Sequence, residues 1–207
     1  MIIIITGASS GIGRALTLHY MALGHYIVAI SRSEDKLLAL EKECAVLKGT
    51  VATFSADVCD SVCIKKIVET VISEQGVPDL VIANAGIGLE RETYNLDLNI
   101  LQQTLKTNVE GVANTFIHVV PHMLKKREGH LVAISSLASA YPLPRMSEYC
   151  CAKIGLNYLL ESLHWSLKPK GVHVSTICPG FIDTPLTRQN HIPKYWCMSL
   201  DKATVNI

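Results

Sequence analysis

"IIIITGASSGIGR", residues 2–14, decides the fold. Its four isoleucines are apolar throughout rather than alternating, as a strand covered on both faces requires. Gly7, Gly11 and Gly13 follow, and the helical stretch "ALTLHYMALG" begins directly after them. A strand, a glycine turn and a helix in that order bring bare backbone N–H groups and the positive end of a helix dipole to one point, where a pyrophosphate binds. A turn that merely needs positive φ explains one glycine well and three at this spacing poorly. The turn thus offers Gly7, Ser9, Ser10, Gly11, Ile12 and Gly13 as cofactor-binding residues.

Beyond this turn, short β-branched runs recur near residues 2–6, 26–31, 51–56, 79–83, 130–135 and 172–178, with amphipathic stretches between them. "DKLLALEKECAVLKG" and "VCIKKIVETVISEQG" each close on a glycine able to stop a helix. Strand and helix alternating in this way predict an α/β fold, a doubly wound parallel sheet in three layers with right-handed crossovers. No linker or repeat divides residues 1–207, so a single domain is expected.

Composition narrows the function classes. Of the 207 residues 49% are hydrophobic and 18% charged, yet no apolar run approaches the roughly 20 residues of a membrane-spanning helix. The net charge of +1 gives no field suited to nucleic acid or an anionic membrane. "MIIIITG" lacks the basic start and cleavage site of a secretory signal and reads as a strand. Seven cysteines, an odd number without CxxC pairs, point to a reducing, cytoplasmic compartment. His118 and His122 stand four apart, but no third ligand is spaced to join them and no metal is expected.

About twenty residues past a dinucleotide turn, an acid usually holds the adenosine ribose when NAD is preferred. Here "ISRSEDK" places Ser31 and Arg32 at the end of the second strand, where a guanidinium suits the 2′-phosphate of NADP. Arg14 offers a second charge. Glu34 or Asp35 could take the acid's role instead, although both also suit the first turn of a helix.

In "SEYCCAKIG", residues 147–155, Tyr149 and Lys153 are four apart and share a helix face, so an ammonium can stand beside a phenol. Joined to the glycine turn, Tyr149-x-x-x-Lys153 resembles the short-chain dehydrogenase/reductase family in its compact form. Other motifs fall in that family's order: Asp57 after the third strand, Asn84-Ala85-Gly86 after the fourth, Asn108 in "KTNVEG", Ser136 in "ISSLAS", and Pro179-Gly180 leading to Thr184. The resemblance covers residues 2 to about 187. It implies a Rossmann fold and hydride transfer between NADP(H) and a carbonyl or alcohol, with Tyr149 as acid/base, Lys153 holding the nicotinamide ribose, Ser136 on the substrate oxygen and Asn108 fixing a water. It also implies that Asp57 lies by the adenine, that Asn84 lines the cofactor cleft, that Ala85, Gly86, Pro179 and Gly180 bind the cofactor, and that Ile182 and Thr184 anchor the carboxamide. Chemically, a cation beside the phenol is expected to lower its pKa from about 10 toward the working range.

A non-catalytic NADP-binding sensor or scaffold is the alternative, which retention of all four catalytic residues disfavours. Residues of about 181–200 read as a substrate lid. Ser199 then caps a helix that has barely begun, so the family's last helix and strand are expected to be missing. Ile87, Tyr141, Leu143, Met146, Phe181 and Trp196 are expected to line an apolar substrate pocket. Segments 97–127 and 147–168 read as long helices. In the resembling family such helices pair across a twofold axis, so a homodimer is expected, with Phe116, Val120, Leu124, Leu156, Leu159 and Leu163 as its apolar surplus.

Overall fold

The computed structural model describes residues 1–90 and 96–207, among which every candidate site residue falls. Six strands, β1 (Ile2–Thr6), β2 (Tyr26–Ser31), β3 (Thr50–Ser55), β4 (Leu80–Ala83), β5 (Gly129–Ile134) and β6 (Val172–Ile177), form one parallel sheet in the order β3-β2-β1-β4-β5-β6. The order reverses at β1, the point where the C-terminal ends of β1 and β4 splay their following loops apart. That crevice is where ligands sit in such sheets.

The isoleucine run serves two cores at once. Ile3 and Ile5 pack with Leu16 and Met21 of α1 (Gly11–Ala22) and Leu37 and Leu40 of α2 (Glu34–Cys44). Ile4, pointing the other way, packs with Ile64 and Val68 of α3 (Ser61–Glu74) and with Phe116 and Leu156. A period-two strand inside two covered faces needs no polar side, which is why the run shows no alternation. At roughly 1.5–3 kcal/mol for each isoleucine taken fully out of water, both cores hold β1 at the centre.

The segment expected to be one long helix is broken. It consists of α4 (Leu98–Leu105), a π-helical turn at Lys106–Glu110, α5 (Gly111–Ile117) and α6 (Val120–Lys126). Asp97 caps α4, its carboxylate accepting from the amides of Asn99 and Ile100 at 2.9 and 3.3 Å. The second expected helix is present as α7 (Ser147–Leu167).

After β6 the chain forms α8 (Pro185–Gln189), a 3-10 turn at Lys194–Trp196 and α9 (Leu200–Asn206), which packs against α1. Thr184 caps α8 and Ser199 caps α9. The described sheet ends at β6 on this side.

Candidate active site

The glycine turn is shaped by contacts within the protein. Gly7 and Gly11 have φ of +65° and +50°, a region open to glycine at little cost. A Cβ on Gly13 would lie 2.4 Å from the carbonyl oxygen of Gly7, so β1 and α1 can approach this closely only because that side chain is absent. Asn84, at the end of β4, ties the turn to the neighbouring strand: its Nδ2 donates to the carbonyls of Thr6 at 3.0 Å and Gly7 at 3.3 Å. Thr6 answers with its hydroxyl, which accepts from the amides of Asn84 and Ala85.

Two adjoining cavities straddle this turn and share Gly7, Ser10, Ala85 and Gly86. One, of about 180 Å³, is lined by Gly11, Ile12, Asn84, Ser136, Tyr149, Lys153, Pro179, Gly180, Ile182 and Thr184. The other, of about 300 Å³, is lined by Ser9, Ser31, Arg32, Lys36 and Asp57. The cleft therefore has two lobes on either side of a phosphate-type turn, which suits a dinucleotide: a nicotinamide nucleotide beside Tyr149 and an adenosine beside Asp57.

At the candidate catalytic lobe, the first two turns of α7 present Tyr149 and Lys153. Lys153 is 5% exposed, donates from Nζ to the carbonyl of Ile134 at 2.8 Å and stands 5.6 Å from the centroid of the Tyr149 ring. Burial lowers its pKa to about 8. The expectation for Tyr149 needs correction. Its pKa is raised, because burial penalises the phenolate more than the hydrogen bond with Ser136 favours it. The ammonium stands over the ring, and burial, not the cation, sets the direction of the shift.

Of the two adjacent serines, Ser136 reaches Tyr149 and accepts from the amide of Ala138 at 3.1 Å. Ser135 is committed to Asn157 of α7 at 2.5 Å. Asn108 lies behind the cleft, fully buried in the π-helical turn. Its Oδ1 accepts from the Ile87 amide at 2.8 Å and its Nδ2 donates to the Ile87 carbonyl at 2.7 Å. A Cβ on Gly86 would meet both Asn108 Oδ1 at 2.9 Å and Lys153 Nζ at 3.8 Å, so these two residues converge on one point of the cleft wall.

At the adenosine lobe, Ser31 and Ser9 hydrogen-bond through their hydroxyls at 2.6 Å. Asp57 accepts from the Cys59 amide at 2.9 Å and lies 3.9 Å from the Arg32 guanidinium. Arg14 does not reach this lobe; it pairs with Glu43 of α2. The second cation there is Lys36, overlooked in the sequence because a lysine in the first turn of an exposed helix has no distinguishing mark.

None of the six residues expected to line a substrate pocket borders the catalytic lobe. Ile87 borders the adenosine lobe, and Phe181 lines a separate cavity of about 170 Å³ against α9. Tyr141 and Trp196 are exposed, and Met146 is buried. The lobe's apolar lining comes instead from Ile12 and Ile134 together with Ile182, Pro185 and Leu186 of the segment after β6. The short helix after β6 turns its own first residues inward, and spacing alone does not show which way it faces. Among the described residues there is no cluster of three or more metal-ligating side chains and no helix long and apolar enough to cross a membrane.

A family model described as short chain dehydrogenase matches residues 1–193. An uncharacterised oxidoreductase of Myxococcus xanthus is 35% identical over 200 residues, spanning 97% of this chain and 79% of that protein. The NADPH-dependent pterin aldehyde reductase of Arabidopsis thaliana is 31% identical over 185 residues, spanning 89% and 76%. A solved metagenomic short-chain oxidoreductase in complex with NADP superposes with a TM-score of 0.82 at 28% identity, over 88% of this chain and 83% of that one.

Proposed function

The chain belongs to the short-chain dehydrogenase family, and on that premise we propose that it transfers hydride between NADP(H) and a carbonyl or alcohol substrate, with Tyr149 as the acid/base. The observation that carries this reading is the two-lobed cleft, with Ser136, Tyr149 and Lys153 in one lobe and Arg32 and Lys36 in the other. The NADPH in the name of the Arabidopsis relative and the NADP bound to the metagenomic structure support the choice of cofactor.

The cofactor, when bound, supplies hydride to the carbonyl carbon; everything else falls to the chain. The turn at Gly7–Gly13 offers its amides to the pyrophosphate, and Arg32 and Lys36 offer charge to a 2′-phosphate. Ser136 donates a hydrogen bond to the carbonyl oxygen, and Tyr149 gives that oxygen its phenolic proton, leaving an alcohol and a phenolate. An ordinary phenol holds that proton at neutral pH, and burial of Tyr149 shifts it further in the same direction. Lys153, about 8 in pKa and mostly charged at pH 7, stabilises the phenolate that forms. In the reverse direction the same phenolate accepts the alcohol's proton. The lid wall of Ile182, Pro185 and Leu186 suits a carbonyl compound with apolar substituents.

The test is Tyr149→Phe, with NADPH oxidation followed by absorbance over a panel of ketones and aldehydes. The variant should fold, bind NADPH and lose at least about two orders of magnitude in kcat, the scale of general acid catalysis. Wild-type turnover in the variant sinks the role of Tyr149. NADPH binding by the wild-type chain with no turnover on any carbonyl assigns it instead to a cofactor-binding sensor.

A further inference from the structure

The lid is fastened by one side chain outside the machinery described above. Asn190 follows α8 directly, is 4% exposed, and uses both ends of its amide. Its Oδ1 accepts from the Glu90 amide at 2.7 Å, and its Nδ2 donates to the carbonyls of Gly88 at 3.1 Å and Leu186 at 3.0 Å. Two of these bonds span about a hundred positions of sequence, from the lid to the loop after β4. That loop rests on the catalytic tyrosine: a Cβ on Gly88 would lie 2.6 Å from the Tyr149 ring. Its next residues are held from the other side, where Glu90 pairs with Arg145 just before α7. His191, beside Asn190, has φ of +52° and turns the chain sharply away once the amide is placed.

We propose that Asn190 is a positioning residue, a latch that holds the lid against residues 88–90 after β4 and thereby closes the catalytic lobe around the nicotinamide end of the cofactor. The lid residues Pro185, Leu186 and Thr187 border that lobe. Two hydrogen bonds from one buried amide tie α8 to residues 88–90, and losing that amide frees α8 on this side while Thr187 and Arg188 keep their bonds to the adjoining Ile182 and Asp183. The latch itself stands on the hydrogen bonds; its effect on cofactor retention rests on the proposed function.

Asn190→Ala, compared with the wild-type chain by amide hydrogen exchange and by stopped-flow release of NADPH, tests this. Exchange of the Glu90 amide and of residues 184–192 should quicken by about tenfold or more while β1, β4 and β5 keep their protection, and NADPH should leave at least about five times faster. A Glu90 amide that stays protected shows a mere helix-end role for Asn190 and overturns the latch. An opened Glu90 with an unchanged NADPH release rate overturns the gating role. Should Asn190→Ala fail to fold, Asn190→Asp keeps an acceptor for Glu90 and loses both donors: NADPH release at the wild-type rate in that variant also overturns the proposal. If the wild-type chain binds no NADPH, the proposed function fails, and the exchange of the Glu90 amide still decides the latch.

Discussion

Burial shifts the titration of Lys153 at the candidate active site. Lys153 has a folded pKa of about 8 against an ordinary 10.5, so below pH 8 it carries its charge in both states and burial costs stability in full. As pH rises from about 8 to 10.5 the folded protein sheds that proton before the unfolded chain does, and the cost is relieved. The stability of the wild-type chain relative to Lys153→Met should therefore improve by up to about 3 kcal/mol across that window. Urea unfolding of both proteins at pH 7.0 and 10.0 measures it, and a difference that does not change with pH contradicts the assignment. Arg32 obeys different rules because it is 66% exposed in its side chain and its pairing with Asp57 at 3.9 Å is loose. Such a pair contributes little to stability. Arg32→Ala should leave the melting temperature nearly unchanged while cutting the proposed preference for NADPH over NADH by at least about tenfold. Titration of the variant with both cofactors checks it; an undiminished preference would assign the selectivity to Lys36.

The segment from 98 to 126 shows how one side chain can override a periodic pattern. Its apolar spacing reads as a continuous helix, yet Asn108 sits where the ladder widens to a π-helical turn, and its amide reaches across to both backbone groups of Ile87. A π-turn inserts one residue, and here it lets a buried amide satisfy a loop that would otherwise leave an N–H and a C=O unpaired. Asn108→Ala leaves those two half-buried groups without their side-chain partner. It should destabilise the fold by about 2–3 kcal/mol, measured by chemical unfolding, and quicken exchange of the Ile87 amide. A variant as stable as wild type would mean that water replaces the amide. The tertiary partner is invisible in sequence because Ile87 lies twenty-one positions away in a segment with no periodicity of its own.

Over the whole molecule, the apolar residues expected to form a dimer surface prove to belong mainly to the core. Phe116 and Leu156 are buried, and Val120, Leu124 and Leu163 pack half-buried against them. The outward face of α7 is apolar nonetheless, with Ile154 46%, Tyr158 72% and Trp165 66% exposed at helical spacing. These are large side chains for water to cover, and a twofold partner presenting the same face would cover them. The expected outcome is a dimer by light scattering at micromolar concentration, about twice the chain mass of 22.6 kDa, which Tyr158→Glu converts to monomer. A wild-type monomer removes the argument, and a dimer indifferent to Tyr158→Glu moves the interface elsewhere.

By itself the sequence determined the six strands to within a residue or two, the glycine turn between β1 and α1, and the shared helix face of Tyr149 and Lys153, because each rests on local physics. An apolar run must be covered, a turn at φ of +65° favours glycine, and residues four apart on a helix share a face. Only the tertiary structure decided that Arg14 pairs with Glu43 rather than reaching the cleft, that Lys36 does reach it, that Leu186 and not Phe181 borders the catalytic lobe, and that the phenol is pushed up rather than down. These outcomes depend on which distant segments meet and how much water they exclude, and neither the direction of a side chain in a loop nor the cost of burying its charge is written in the residues beside it.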